Sequence, residues 1–282
     1  MNEKPLVSVV IPTYDSEKTL SKCLLSIKKQ SFSNIEIIVA DSYSNDKTVK
    51  IAQSFRAKVV LTNYKLLGAR YIGLKECSGQ FVVLLDSDQI LEKSAVERAV
   101  NYLSAGWDML FLEEKTLDSG HWLQKLFNAD RRLIHELTNI QSDPLEGVLL
   151  ARVYRKEILD NAFRSIPKVL FKSVVAHDHA IIYYEAYKIS QRTAVLPSAV
   201  WHIDPSGLRI LLKKNFRYGQ STYTLTKSGL YQDLLTKKVR FRKGALKDWK
   251  LGLQTYLLLA LKGVGYYSGY FSAKLRDSID ER

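Results

Sequence analysis

The stretch VVLLDSDQIL, residues 82–91, runs four apolar residues into two carboxylates held one residue apart, Asp86 and Asp88. Two like charges this close repel, and burial strips their hydration, so the pair needs a compensating partner. A divalent cation would offset the repulsion. The plainer alternative is a polar turn in which Asp86 caps a following helix. A further acid, Asp41, follows the apolar run IIVA in the same way. No glycine precedes Gly68. The first apolar run therefore lacks the glycine-rich turn by which dinucleotide folds and P-loops bring backbone N–H groups to phosphate. A nucleotide bound here would need its phosphates neutralised by other means, and a cation held by carboxylates is the natural substitute.

These acids must be positioned by the elements around them. Over residues 6–100 the hydrophobic period alternates between strand and helix. LVSVVI, IEIIVA, AKVVLT and QFVVLL read as strands. SEKTLSKCLLSIKKQ, NDKTVKIAQSF and LGARYIGLKEC read as helices, the first with Ser16 as N-cap. Continuous apolar strands alternating with helices predict an α/β fold whose mostly parallel sheet is covered on both faces. Ligands of such sheets bind outside the carboxyl ends of the strands, where Asp41 and Asp86 fall. Beyond residue 100, DMLFLE and residues 147–155 are expected to be extended, residues 119–139 and 177–188 helical, and TAVLPSAVWHID extended. From residue 207 the chain reads as helical, basic and aromatic.

Four pieces occur in order: PTYDSE after the first strand, DSYSND after the second, GARYIGL before an edge strand, and DSD. Together they resemble the nucleotide-binding half of family 2 glycosyltransferases, which have the GT-A Rossmann-like fold. The likeness continues more faintly in EGVLLARVYRKEIL, similar to the family's acceptor-side glycine-to-arginine segment, in HDHAIIYYEAYK, and in VLPSAVWHIDPSGLRILLKKNFRYGQ. The resemblance implies a nucleotide-sugar-binding half over 1–100, an acceptor-binding and catalytic half over 101–206, and a C-terminal helical region over 207–282. It implies that Asp41 accepts a hydrogen bond from the base of a UDP- or GDP-sugar. Thr13 and Glu17 would line the nucleoside pocket, Arg70 would lie near the nucleoside or diphosphate, and Ser87 would join the donor-binding set. Asp86 would reach the ribose, a metal-bound water or the metal, while Asp88 binds Mn2+ or Mg2+ directly. His202 would be a further metal or diphosphate ligand, and Asp178 the general base, with Glu146 in reserve. The chain departs from the family pattern in two places. The usual Glu-Asp is His177-Asp178-His179, and the common Asp-Asp-Gly-Ser is Asp41-Ser42-Tyr43-Ser44. Helix capping by Asp178, a merely hydrogen-bonded His202 beside Trp201, and orienting or solvent-facing roles for His177 and His179 stay open.

The implied chemistry is coherent. A carboxylate takes the proton of an acceptor hydroxyl as it attacks the anomeric carbon, cations stabilise the departing nucleoside diphosphate, and a single displacement inverts the centre.

Charge is unevenly placed along the 282 residues. Residues 205–282 hold 16 Lys or Arg against 5 Asp or Glu, so most of the net +13 lies there. An anionic partner is expected for this region. WKLGLQTYLLLALKGVGYYSGYFSAKLR (249–276) approaches transmembrane length, but Lys262 at its centre and three glycines argue against a span. The polybasic KKVRFRKGALKDWK before it suits an anionic bilayer surface. The expectation is peripheral attachment at the cytoplasmic face of the membrane, with Leu257, Tyr266 and Phe271 entering the headgroup boundary, and a glycan or lipid-linked acceptor. Packing of this stretch against the catalytic domain is the alternative. Cys23 and Cys77 lie at apolar helical positions and are expected to be buried free thiols. Two other readings compete. A sugar nucleotidyltransferase would need a glycine-rich loop after the first strand. A basic nucleic-acid-binding protein would leave Asp41, Asp86 and Asp88 without a role, so no nucleic-acid partner is expected.

Overall fold

The structure is a computed structural model that describes residues 4–117, 120–135, 142–145, 149–236 and 247–280. Eight strands form one sheet in the order β3-β2-β1-β4-β7-β6-β8-β5. β1 (Val7–Thr13), β2 (Ile35–Asp41), β3 (Lys58–Leu61) and β4 (Phe81–Leu84) run parallel. β7 (Ala151–Arg155) then pairs antiparallel with β4 and with β6 (Met109–Thr116). β6 is parallel to β8 (Thr193–His202), whose end pairs antiparallel with the short β5 (Gln89–Leu91).

The period-2 strands divide the core in two. Val7, Val9 and Ile11 point to the face covered by α1 (Leu20–Lys28), α2 (Thr48–Ser54) and α4 (Ala95–Ser104). Val10, Ile38, Val82 and Leu84 point to the face covered by α3 (Leu66–Lys75), α6 (Lys156–Ser165) and α7 (Asp178–Ile189). This is the two-faced α/β sheet expected from the apolar runs. α1 begins at Leu20 with Thr19 before it, so Ser16 is not the N-cap. Instead its carbonyl accepts from Thr19 and Leu20 in the preceding turn. Both cysteines are free and buried. Burial pushes the Cys77 thiol up to about 12 and the Cys23 thiol up as well.

Two glycines let α3 pack closely, Gly73 against β1 and Gly68 against the turn at Lys168–Lys172. A Cβ on Gly73 would strike Val10, and one on Gly68 would lie 2.7 Å from Phe171. With both small, α3 sits close enough to place the whole of Arg70 under the sheet rim.

The C-terminal region packs on the body. α5 (Trp122–His135), α8 (Leu208–Lys227) and α10 (Trp249–Asp280) share an apolar cluster of Leu123, Leu126, Phe127, Leu211 and Leu258. α9 (Gln232–Thr236) is a short helix between α8 and α10. α8 and α10 run in the same direction with backbones in contact: a Cβ on Gly265 would meet the Leu212 carbonyl, and one on Gly269 the Phe216 carbonyl. Lys262 turns toward α5, 4.6 Å from the Phe127 ring and 3.9 Å from Asp130. Among the described residues no helix is long and apolar enough to cross a membrane. Most of the polybasic stretch that precedes α10 lies outside the described residues.

Candidate active site

The carboxyl ends of β1, β2 and β4 converge on one rim. Thr13 and Asp41 are register partners at the ends of β1 and β2. The Thr13 hydroxyl donates to Asp41 Oδ2 at 2.7 Å, and the Ser44 backbone and hydroxyl donate to the same carboxylate at 2.8 and 2.6 Å. Asp41 is 0% exposed. Its carboxylate holds its own loop in shape and is closed to a ligand in this structure. The two rim loops are tied together: Asp15 N–H donates to Ser44 Oγ at 2.8 Å, and Asn45 N–H to Asp15 Oδ1 at 2.9 Å. Glu17 joins them through its N–H to Asp46 (3.0 Å) and its carboxylate to Lys47 N–H (3.2 Å). Asp15 (φ 48°) and Tyr43 (φ 57°) adopt the left-handed region that side chains avoid, and Tyr14 and Tyr43 stay half exposed beside them. Ser87 closes the rim with a 3.1 Å bond to Ser16 Oγ.

Asp86 and Asp88, although one residue apart, meet different surroundings. No helix follows Asp86. The chain enters β5, and the Asp86 N–H donates to the Gln89 side chain at 2.9 Å. The capping alternative therefore fails. Oδ1 of Asp86 accepts from Arg70, and Oδ2 accepts from Arg152 at 3.0 Å. Burial alone would raise the Asp86 pKa, but Arg70 and Arg152 hold it well below the usual carboxylate range. Each Asp86 oxygen thus already carries a guanidinium partner in this structure. Arg70 also departs from expectation. It is 0% exposed and lies beneath the rim, its Nε donating to Asp178 Oδ2 at 2.6 Å. One guanidinium thus joins the end of β4 to the start of α7.

Asp178 is the first residue of α7 and follows the left-handed N-cap His177 (φ 66°), whose side chain makes no capping bond. Its Oδ1 accepts no hydrogen bond among the described residues. His177 bonds Thr222 of α8 at 3.0 Å. His179 is buried with Nε2 against Arg152. Burial, then Arg152 and Arg70, push its pKa well below the usual value. It is therefore a neutral imidazole whose Nε2 accepts from a cation, an orienting group for Arg152. Glu146 lies outside the described residues.

The other acid, Asp88, faces His202 and α8. His202 Nε2 lies 3.6 Å from Asp88 Oδ1, and Lys214 Nζ donates to Asp88 Oδ2 at 3.3 Å. His202 Nδ1 lies 3.3 Å from Asp204, which Arg131 holds at 2.5 and 2.8 Å. Burial disfavours the imidazolium, but Asp88 and Asp204 outweigh it and raise the His202 pKa. Among the described residues no three His, Cys, Asp or Glu side chains converge as a ready cation site. Asp88 and His202 nonetheless fit a divalent ion as a pair. They supply a carboxylate oxygen and an imidazole nitrogen across one gap, with a carboxylate behind the histidine as metal-bound histidines usually have.

The structure thus brings Thr13, Glu17, Asp41, Asp86, Ser87, Asp88, Asp178 and His202 to one rim, with Arg70 beneath it. Sequence reading missed Arg152, Arg131, Asp204, Glu114 and Lys214. Glu114 receives Gln89 Nε2 at 2.9 Å and lies 3.8 Å from Arg152, linking the Asp86 side to β6. Arg152 and Lys214 both fall in segments singled out for their likeness to the family, but their partners lie 66 and 126 residues away.

Comparison with known proteins agrees with this geometry. Residues 8–163 match the sequence profile of Glycosyl transferase family 2. The poly(ribitol-phosphate) beta-N-acetylglucosaminyltransferase TarS of Staphylococcus aureus is 28% identical over 205 residues, 69% of this chain and 35% of its own length. A GalNAc(5)-diNAcBac-PP-undecaprenol beta-1,3-glucosyltransferase of Campylobacter jejuni is 35% identical over 115 residues, 38% of this chain and 37% of its own length. The chain therefore spans about a third of each of these relatives. Among solved structures, the mannosyltransferase PcManGT of Pyrobaculum calidifontis, in complex with GDP-Man and Mn2+, superposes with TM-score 0.60 at 16% identity, covering 100% of this chain and 89% of that one. S. aureus TarS 1–349 in complex with UDP-GlcNAc gives TM-score 0.55 at 18% identity, covering 96% and 92%. At these identities the superpositions establish the shared fold. With more than half of its length matching the family profile, the chain belongs to glycosyl transferase family 2.

Proposed function

We propose that this protein transfers a sugar from a nucleoside-diphosphate sugar to an acceptor hydroxyl with inversion, Asp178 acting as general base. The observation that carries this reading is the Asp86–Arg70–Asp178 bridge. It places one carboxylate at the helix start beside the strand end that carries Asp-Ser-Asp, with Oδ2 fixed at 2.6 Å by Arg70. Oδ1 is left to take a proton from the acceptor. Thr13, Glu17, Asp41 and Ser87 form the donor's nucleoside end, with Asp41 shaping the loop the nucleoside meets. Asp88 and His202 would hold Mn2+ or Mg2+. A bound cation offsets the charge that gathers on the leaving diphosphate. The donors and acceptors of similar proteins support a UDP- or GDP-sugar donor and an acceptor that is a polymer or an undecaprenyl-diphosphate glycan.

A membrane-proximal acceptor fits the C-terminal region. α10 exposes Trp249, Leu253, Leu257, Val264, Tyr267 and Phe271 along one stripe. At 1.5 Å per residue the helix is roughly 45 Å long. Lys250 and Lys274 border the stripe, and residues 205–282 together hold 16 Lys or Arg against 5 Asp or Glu. An apolar, aromatic stripe with basic margins suits peripheral attachment to an anionic bilayer surface, at its cytoplasmic face. Leu257 and Phe271, two of the three residues expected at a headgroup boundary, lie on the stripe. Tyr266 does not: its backbone packs against Gly219 of α8.

The test is donor and metal binding followed by turnover. Wild type binds UDP- or GDP-sugar more tightly with Mn2+, and Asp88→Ala loses that metal dependence while staying folded. Asp178→Asn keeps donor binding and loses transfer by about 10²–10⁴-fold. Donor hydrolysis or transfer at near-wild-type rate in Asp178→Asn would overturn its assignment as base. For attachment, the full chain floats with anionic vesicles in a density gradient, and a Leu253→Ser, Leu257→Ser, Phe271→Ser triple variant stays at the bottom. Equal flotation of the two would remove α10 from the membrane reading.

A further inference from the structure

We propose that Lys214 is an exchangeable counter-ion, neutralising Asp88 while no divalent cation is bound and moving onto the donor's diphosphate when one is. The inference rests on the nucleoside-diphosphate reading above and assigns a role to a residue outside the strand ends.

The two oxygens of Asp88 have different partners. Oδ1 faces the His202 nitrogen at 3.6 Å, and Oδ2 takes the Lys214 ammonium at 3.3 Å. An ammonium has donors and no lone pair, so it cannot share a cation with the carboxylate; it can only compete with one.

The ammonium can leave without moving its helix. α8 is anchored where Ser221 Oγ accepts from the Val175 and Ala176 N–H groups at 2.8 and 3.2 Å. It is anchored again where Gly265 and Gly269 press on the Leu212 and Phe216 carbonyls. Lys214 itself is only half buried, on a four-carbon stem. The site's arginines lack this freedom. Arg70 is committed to Asp86 and Asp178, Arg152 to Asp86, and Arg131 to Asp204. A cation arriving at Asp88 therefore releases a positive charge within reach of the diphosphate it comes with. The exchange moves no bond and no proton, only one ion-pair partner for another.

Lys214→Met keeps the stem and removes the charge. With the full chain and Mn2+ alone, free Mn2+ read by electron paramagnetic resonance shows about tenfold tighter binding in Lys214→Met than in wild type. A charge-assisted hydrogen bond has this scale. At saturating Mn2+, calorimetry shows the opposite sign for UDP or GDP, about tenfold weaker binding. Uridine or guanosine bind both proteins alike, and Lys214→Arg binds the diphosphate nearly as wild type does. A melting curve confirms that Lys214→Met is folded. Unchanged or weaker Mn2+ binding in Lys214→Met overturns the proposal, and so does unchanged diphosphate binding. If wild type binds neither UDP nor GDP, the donor reading fails with the diphosphate half, while the Mn2+ titration still decides the Asp88 half.

Discussion

The inner and outer sides of the Asp-Ser-Asp turn carry the same side chain and behave differently. On the inner side Asp86 is held by Arg70 and Arg152, and Arg70, itself fully buried, continues to the buried Asp178. On the outer side Asp88 faces a histidine at 3.6 Å and a lysine at 3.3 Å on partly exposed stems. Planar, permanently charged guanidinium suits a fixed bridge, and a flexible ammonium suits a partner that is exchanged. The inner side is framework for the base, and the outer side is where a ligand changes the charge.

Breaking the inner side has the largest expected effect. Arg70→Met strands the buried Asp178, leaves Asp86 to Arg152 alone, and lowers unfolding free energy by about 3 kcal/mol at pH 7. The sign with pH follows from Asp86. Its folded pKa lies well below its unfolded value, so its pairing stabilises above about pH 4 and is lost as pH falls through the folded pKa. The gap between wild type and Arg70→Met in denaturant melts should therefore narrow toward acid. A constant gap from pH 7 to pH 3 would contradict the bridge as the cause.

Loosening the support of the outer side comes next. Gly269→Leu forces α10 off the Phe216 carbonyl and costs about 1–3 kcal/mol by overpacking. If α8 holds Lys214 in place, the Mn2+ affinity of this variant also changes. A lowered melting temperature with an unaltered Mn2+ titration would separate α10 from the site.

The smallest stability effect belongs to Asp88 itself. Asp88→Asn removes a partly exposed pair and changes unfolding free energy by about 1 kcal/mol. It also abolishes Mn2+-dependent donor binding. Sharing the large loss of Arg70→Met would erase the contrast between the two sides.

Much of the nucleotide half was legible in the sequence. The runs VSVVI, IEIIVA and FVVLL became β1, β2 and β4 because a strand buried on both faces has no polar alternation to obscure it. Asp41 and Asp86 fell on the rim because a parallel sheet puts successive strand ends on one edge. The site beyond them was less legible. Arg70 was assigned to the ligand, yet whether a guanidinium faces solvent or core depends on how closely α3 packs on its neighbours, and Gly73 and Gly68 set that only through Val10 of β1 and Phe171 of the turn after α6.

Local chemistry determined the element types, the strand-end acids and the basic, aromatic character of the last third, because period and composition act over neighbouring residues. Tertiary structure decided which charges meet. β7 returns antiparallel between β4 and β6, and so delivers Arg152 to Asp86. β8 ends beside β5, and so sets His202 across from Asp88. α8 folds back over the rim and supplies Lys214. No spacing in the sequence encodes these pairings. Each joins residues from separate elements, and its strength comes from burial and mutual distance, which exist only once the sheet and its helices have packed.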